Sequence, residues 1–163
     1  MSYLTQKTIK NSISFKGIGL HTGLSVRVCV KPAGPDTGIV FKRIDLKTNN
    51  LVYPNFMNVS NTSLNTTITN EFGVKVSTIE HLMGALFGLG IDNAIIELNN
   101  EEVPILDGSA KEFIEKIIPG GFEVSEAPIK IIKINKKVEF NDEERSISIQ
   151  PSKLSLDIDF ELN

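Results

Sequence analysis

Several residue types are scarce in this chain of 163 residues. It has no tryptophan, one cysteine and two histidines. A single cysteine cannot form an intramolecular disulfide, so Cys29, in the strand-like run SVRVCVKP, is predicted to be a small buried hydrophobe in a reducing compartment. The N-x-S/T sequons at Asn58, Asn61 and Asn65 are therefore not expected to carry glycans.

The sequence also gives no signal of a targeting or membrane segment. The run MSYLTQKTIK lacks the apolar core of a signal peptide, and no stretch approaches the roughly 18 apolar residues of a membrane span. The net charge is −3, with acids and bases mixed along the chain, so no basic patch for nucleic acid is visible. We therefore expect a cytoplasmic protein with no nucleic-acid partner and no transmembrane segment.

The hydrophobic content of 40% is enough for one core and part of a second unit. In residues 1–122 the apolar patterning predicts several strands and two helices. The strands are expected at 5–16, 25–32, 38–43 and 93–99, with a hairpin around 66–76. The second helix should begin at Asp107 or Ser109 and end at Gly120-Gly121. This pattern predicts an α+β unit, a two-layer arrangement of a mainly antiparallel sheet with two helices.

The stretch GIGLHTG contains three of the chain's glycines, at 17, 19 and 23. Their spacing does not match a dinucleotide-binding fingerprint, and no helix is predicted to follow. We therefore interpret it as a glycine-rich hairpin connection with His21 at its tip.

The first helix is predicted in VSTIEHLMGALFGLG, Val76 to Gly90, where Ile79, Leu82, Met83 and Leu86 line one face. The S-x-x-E pattern resembles a capping box, which would make Ser77 the N-cap and Glu80 the N3 residue. His81 then lies on the opposite face with Gly84, Ala85 and Gly88, where small residues should let other backbone approach closely.

Glu80 and His81 suit chemistry as well as structure. The positive end of the helix dipole favours a neutral imidazole, the form that binds metal, and an ionised carboxylate, the form of a general base. A structural histidine and a capping glutamate explain the same residues, and the helix alone does not decide between these readings.

The pattern changes after residue 122. Residues 123–128, EVSEAP, are predicted to be a polar linker. Residues 129–163 are expected to form three or four strands and no helix, in the runs IKIIKIN, KKVEFN, RSISIQP and LSLDIDFELN. In the last run Leu154, Leu156, Ile158 and Phe160 form an apolar face with nothing of its own to cover it. We expect the beginning of a second domain that is mobile or associates with another molecule.

Four motifs occur in order: GIGLHTG, the run from Pro32 to Leu46, VSTIEHLMGALFGLGIDNA and EVPILDGSA. Together they resemble the UDP-3-O-acyl-N-acetylglucosamine deacetylases, the zinc amidases that commit Gram-negative bacteria to lipid A and hence lipopolysaccharide synthesis. The resemblance covers the whole chain. It implies two similar domains, each pairing a sheet with two helices, with the active site between them.

The resemblance also implies roles for individual residues. His81 would be one of three protein ligands of a catalytic Zn²⁺, and Glu80 would activate the water that attacks the acetamide of a UDP-sugar substrate. Leu64, Asn65 and Thr66 would contact the substrate, although the entry to a β-hairpin explains these three equally well. No ligand role is implied for His21, and helix capping suffices to explain Asp107.

The resemblance places the other zinc ligands, the general-acid histidine and the acyl-chain passage in the second domain. None of them is found in these 163 residues, so a three-ligand zinc site is not expected within this chain alone. Two hypotheses follow. The chain is the N-terminal part of a zinc hydrolase, or it is a non-catalytic fragment or association module.

Overall fold

The computed structural model describes residues 4–143, 145–152 and 157–161. The chain divides into two compact units, Met1–Ile129 and Lys130–Asn163. No helix in these described ranges is both long enough and apolar enough to cross a membrane.

The described elements are two α-helices and twelve strands, with two short 3-10 turns at Phe56–Asn58 and Ile118–Gly120. The helices are α1 (Glu80–Gly88) and α2 (Ala110–Ile117). The strands are β1 (Thr5–Ile9), β2 (Ile13–Ile18), β3 (Ser25–Pro32), β4 (Ile39–Arg43), β5 (Leu51–Val52), β6 (Val59–Asn61), β7 (Thr67–Thr69), β8 (Lys75–Val76), β9 (Ala94–Leu98), β10 (Phe122–Pro128), β11 (Val138–Asp142) and β12 (Arg145–Ile149). The predicted α+β class is confirmed.

The largest sheet has five strands in the order β2-β3-β9-β4-β5. All neighbours are antiparallel except β4 and β9, which run parallel. Strand β3 alternates Val26, Val28 and Val30, all buried, with more exposed residues, so one face of the sheet is apolar. The predicted hairpin at GIGLHTG is confirmed, since β2 and β3 pair across it.

The two helices contribute to the core of the first unit. Leu82, Ala85 and Leu86 of α1 and Phe113 and Ile117 of α2 belong to the same buried cluster as the apolar residues of the large sheet. Helix α2 begins where Ser109 accepts a hydrogen bond from the Lys111 N–H, which confirms one of the two predicted caps.

Two smaller sheets complete the first unit. Strands β6, β7 and β8 form a three-stranded antiparallel sheet, which confirms the hairpin expected around 66–76. Strand β1 pairs antiparallel with β10.

This last pairing differs from the sequence expectations in two ways. The single strand expected at 5–16 is two strands, because β1 pairs with β10 whereas β2 pairs with β3. The segment 123–128, expected to be a polar linker, lies in β10. The polar composition of this segment is compatible with an outer strand. It is a strand because its backbone pairs with β1, which is distant in the sequence.

The second unit contains one described hairpin, β11 with β12, in two of the four runs expected to be strands. The run IKIIKIN is not a strand, and neither are the described residues 157–161 of LSLDIDFELN. Leu154 and Leu156 lie outside the described residues. Ile158 and Phe160 are exposed.

Candidate functional site

Helix α1 begins at Glu80, so the predicted capping box is wrong. The residue before the helix is Ile79, and no side chain caps it. Ser77 instead donates its N–H to the carbonyl of Glu101 at 2.8 Å and accepts from the N–H of Val103 at 3.0 Å. Hydrogen bonding to a distant segment has displaced the local cap.

Glu80 therefore lies in the first turn of the helix and bonds to another part of the chain. Its Oε2 accepts a hydrogen bond from the Thr66 N–H at 3.0 Å. Its Oε1 is 4.0 Å from Nε2 of His81. Both side chains are about one-third exposed, 36% for Glu80 and 31% for His81. The structure thus places a carboxylate and an imidazole side by side within reach of solvent.

The three residues predicted to contact substrate lie at the turn that precedes β7. Leu64 has a left-handed backbone (φ 64°) and is 87% exposed. Asn65 accepts a hydrogen bond from the Thr67 hydroxyl at 2.9 Å. Only Thr66 is bonded to Glu80, through its N–H. The substrate role of these residues stays a prediction.

Other backbone was expected to pack closely on the face of α1 that carries His81, and the structure does not show this at Gly84 or Gly88. Ala85 is buried, but a Cβ atom placed on Gly84 or Gly88 would meet none of the described atoms within 4 Å. The small residues therefore leave open space beside the imidazole.

Glu102 was missed by the sequence analysis. Its carboxylate is buried (1% exposed) and accepts three hydrogen bonds. Oε1 accepts from the His21 N–H at 2.9 Å and from the Thr78 hydroxyl at 3.0 Å, while Oε2 accepts from the Thr22 N–H at 2.8 Å. The carboxylate joins the GIGLHTG turn to the segment before α1. An acidic residue in the polar run NNEE gave no sequence signal of burial.

The same contacts explain the glycine and the histidine of that turn. A Cβ atom on Gly19 would collide with the Glu102 carboxylate and the Thr22 hydroxyl, so glycine permits the close approach. The His21 backbone bonds to Glu102, and its side chain is exposed. The His21 N–H therefore has its partner in a segment that is distant in the sequence.

Burial has the largest single influence on the pKa of Glu102 and raises it. The hydrogen bonds from His21, Thr22 and Thr78 together outweigh burial, so the pKa lies below its ordinary value. The group is therefore a buried, hydrogen-bonded anion.

Thr78 is held in an unusual conformation. It is 2% exposed and has a φ of 56°, in the left-handed region that β-branched residues rarely adopt. Such a backbone costs on the order of 1–3 kcal/mol and persists where surrounding contacts hold it. Here the Thr78 hydroxyl is bonded to Glu102.

Of the zinc site implied by the family resemblance, the described residues contain one candidate ligand. The imidazole of His81 is a suitable donor, but catalytic zinc needs three protein ligands. Across 4–143, 145–152 and 157–161, no group of three or more His, Cys, Asp or Glu side chains could hold a metal ion. The residues present do not complete a zinc site by themselves.

Comparisons with known proteins agree with the order of motifs. A family model described as LpxC, UDP-3-O-acyl N-acetylglycosamine deacetylase, matches residues 6–163. Proteins named UDP-3-O-acyl-N-acetylglucosamine deacetylase are similar to this chain in Teredinibacter turnerae (46% identity), Saccharophagus degradans (45%) and Pseudomonas entomophila (44%). Each match covers 97% of this chain and 53% of the relative. The chain spans about half the length of these relatives, and it belongs to the UDP-3-O-acyl-N-acetylglucosamine deacetylase family.

Proposed function

We propose that the full-length protein hydrolyses the acetamide of UDP-3-O-acyl-N-acetylglucosamine and releases acetate, the committed step of lipid A biosynthesis in a Gram-negative bacterium. The observation that carries this proposal is the pairing of Glu80 with His81, both partly exposed, at the start of α1. Membership of the family supplies the substrate class. A cytoplasmic location fits the unpaired Cys29.

Glu80 is the proposed general base. The Thr66 N–H holds one carboxylate oxygen, which orients the group and leaves Oε1 on the side of His81. The carboxylate takes a proton from water while the water oxygen forms a bond to the acetamide carbon. The C–N bond then breaks, and the amine leaves with a proton.

His81 is the proposed zinc ligand contributed by this part of the protein. Zn²⁺, when bound, supplies a Lewis acid that polarises the amide carbonyl. We propose that the remaining ligands and the general acid belong to the portion of the relatives that this chain does not match. Leu64, Asn65 and Thr66 remain proposed substrate contacts, because Thr66 adjoins Glu80 and the other two precede it in the same turn.

The test is acetate release by the full-length protein from UDP-3-O-acyl-N-acetylglucosamine. We expect activity that is lost after chelation and restored by Zn²⁺. A purified, folded full-length protein that binds zinc but releases no acetate from this substrate would contradict the proposal.

A second candidate is a non-catalytic fragment or association module. The observation that favours it is the β11–β12 hairpin, whose paired residues Val138, Ile149, Phe140 and Ile147 are all exposed apolar side chains. Equilibrium dialysis separates the candidates. We expect the 163-residue chain to bind Zn²⁺ weakly and the full-length protein to hold one ion tightly. Tight binding of one zinc per 163-residue chain would show that the site needs no further residues.

A further inference from the structure

Glu102 is placed where it can act on the proposed catalytic residues without touching substrate. Its segment forms a short parallel bridge with Ser77, the residue that precedes Thr78. Backbone hydrogen bonds from Ser77 to Glu101 and from Val103 to Ser77 hold this bridge on both sides of Glu102. The bridge fixes the backbone up to Ser77, but it does not reach the turn into α1.

The turn itself is made by Thr78. Its left-handed backbone changes the chain direction two residues before Glu80, and its side-chain hydroxyl donates to the buried Glu102 carboxylate. After Thr78 comes Ile79, whose carbonyl accepts the N–H of Met83 at 2.9 Å in the first turn of the helix. No side chain caps this helix, and two side-chain hydrogen bonds hold its start: the Thr66 N–H donates to Glu80 in the first turn, and the Thr78 hydroxyl donates to Glu102 just before it.

The other two hydrogen bonds of Glu102 anchor the carboxylate. They come from the backbone of His21 and Thr22, in a turn where Gly19 allows the close approach. Three donors converge on the carboxylate, which therefore serves as a fixed acceptor between two loops.

We infer that Glu102 is a positioning residue of the deacetylase, which holds Thr78 in its left-handed turn and so sets the direction in which α1 presents Glu80 and His81. The inference rests on the proposed function for its catalytic consequence. Its structural part, the control of the first turn of α1 by Glu102, stands on the hydrogen bonds alone.

The decisive variant is Thr78→Val in the full-length protein. Valine keeps the β-branched shape and removes only the hydroxyl that Glu102 accepts from. A small displacement of catalytic groups costs up to about 100-fold in rate, so we expect kcat to fall by about 10- to 100-fold. We expect KM to change by less than about threefold, because the substrate contacts are not removed. Thr78→Ser, which keeps the hydroxyl, should restore most of the kcat.

The matched control is Thr8→Val. The Thr8 hydroxyl, which is half-buried in β1, donates to the Asn93 carbonyl at 2.7 Å and accepts from the Ala33 N–H at 3.1 Å, so this variant also removes a hydrogen-bonded threonine hydroxyl and keeps the β-branched shape. This variant should lower the melting temperature to a similar extent and leave kcat unchanged.

Hydrogen exchange gives a readout that does not depend on activity. The amides of residues 79–83 should exchange faster in Thr78→Val and Glu102→Gln than in the wild type, while those of α2 keep their rates. The inference is wrong if Thr78→Val changes neither kcat nor the exchange rates of residues 79–83. It is also wrong if Thr78→Ser does not restore kcat, or if Thr8→Val lowers kcat as much as Thr78→Val does. If the wild type releases no acetate, the proposed function fails, and the exchange rates alone decide whether Glu102 positions α1.

Discussion

The two units of this chain contrast in how they bury apolar side chains. In the first unit, strands and helices share one cluster that includes Phe41, Leu82 and Phe113, each fully buried. In the described part of the second unit, Ile134 alone is half-buried and every other residue is exposed. Its hairpin pairs Val138 with Ile149 and Phe140 with Ile147, and all four remain in contact with solvent.

This contrast shows that apolar patterning and burial are separate properties. Both units contain strands with regular backbone pairing, but a two-stranded hairpin has no second layer to cover its apolar face. In the first unit, two helices supply that layer. The proposed catalytic pair, Glu80 and His81, lies on α1. Separate variants can therefore test the stability of the first unit and the chemistry of this pair.

The largest effect should come from Glu80→Gln in the full-length protein. The amide oxygen can still accept the hydrogen bond from the Thr66 N–H, but the side chain cannot take a proton. We expect turnover to fall by roughly 100- to 10,000-fold, while the melting temperature stays near that of the wild type. Steady-state kinetics and thermal unfolding measure both. Turnover close to wild type would leave Glu80 as a structural residue only.

A pair of phenylalanine truncations tests the difference in burial directly. Phe113 is fully buried and packs edge-to-face on Phe15 with ring centroids 5.8 Å apart. Phe113→Ala should lower the free energy of unfolding by about 3–5 kcal/mol. Phe140, which is 66% exposed, is the control, and Phe140→Ala should change it by less than about 0.5 kcal/mol. Urea denaturation of the 163-residue chain, monitored by circular dichroism, measures both values. An equal loss of unfolding free energy in the two variants would contradict the difference in burial between the two units.

Proteolysis of the 163-residue chain should distinguish the two units by rate. Thermolysin cleaves beside apolar residues, and Ile131 and Ile132 are exposed and outside any strand. We expect the first cuts in residues 130–143, while Val76–Gly90 remains intact. Size-exclusion chromatography should show either self-association through the second unit or a monomer with this rapid cleavage. A monomer in which residues 130–143 resist thermolysin as long as Val76–Gly90 would contradict the expectation.

The smallest effect concerns acid stability. The pKa of Glu102 is lowered in the folded state from its ordinary value of 4.5, so its contribution to stability is complete above that value and is lost as the pH falls through the folded pKa. The urea midpoint of the wild type, measured at a series of pH values from 6 downwards, should therefore decrease once the pH is below about 4.5. The Glu102→Gln variant should be less stable than the wild type at pH 6, and its stability should decrease less than that of the wild type on acidification.

Glu139→Gln is the control for this measurement in the second unit. Glu139 is an exposed carboxylate whose pKa is lowered chiefly by a hydrogen bond from Lys137. Solvent screens this pair, so the variant should follow the wild-type pH profile. If stability depends on pH equally weakly in both variants, the burial of Glu102 is not the cause of the acid sensitivity.

Several features were predictable because their causes are local. The strand-like run SVRVCVKP predicted β3 at its observed bounds, and Ser109 was one of two expected caps for α2. The glycines of GIGLHTG predicted a hairpin turn. The pairing of Glu80 and His81 was readable as well, since the two residues are adjacent in the chain.

Other features depended on partners far away in the sequence. Ser77 has the local pattern of a cap, yet it bonds to Glu101 and Val103, and α1 begins at Glu80. Residues 123–128 look like a linker because they are polar, but β1 pairs with them. Local propensity predicted neither outcome, because the competing hydrogen bonds form only when the chain has folded.

The sequence by itself determined the α+β class, the bounds of β3 and the family to which this chain belongs, since each depends on periodicity or on motifs contiguous in the chain. The tertiary structure decided where α1 starts, what holds Glu80 in place and why Glu102 is buried. The physical reason is that a carboxylate is buried only where donors converge on it, and the donors from His21, Thr22 and Thr78 come from segments that meet only in the folded protein.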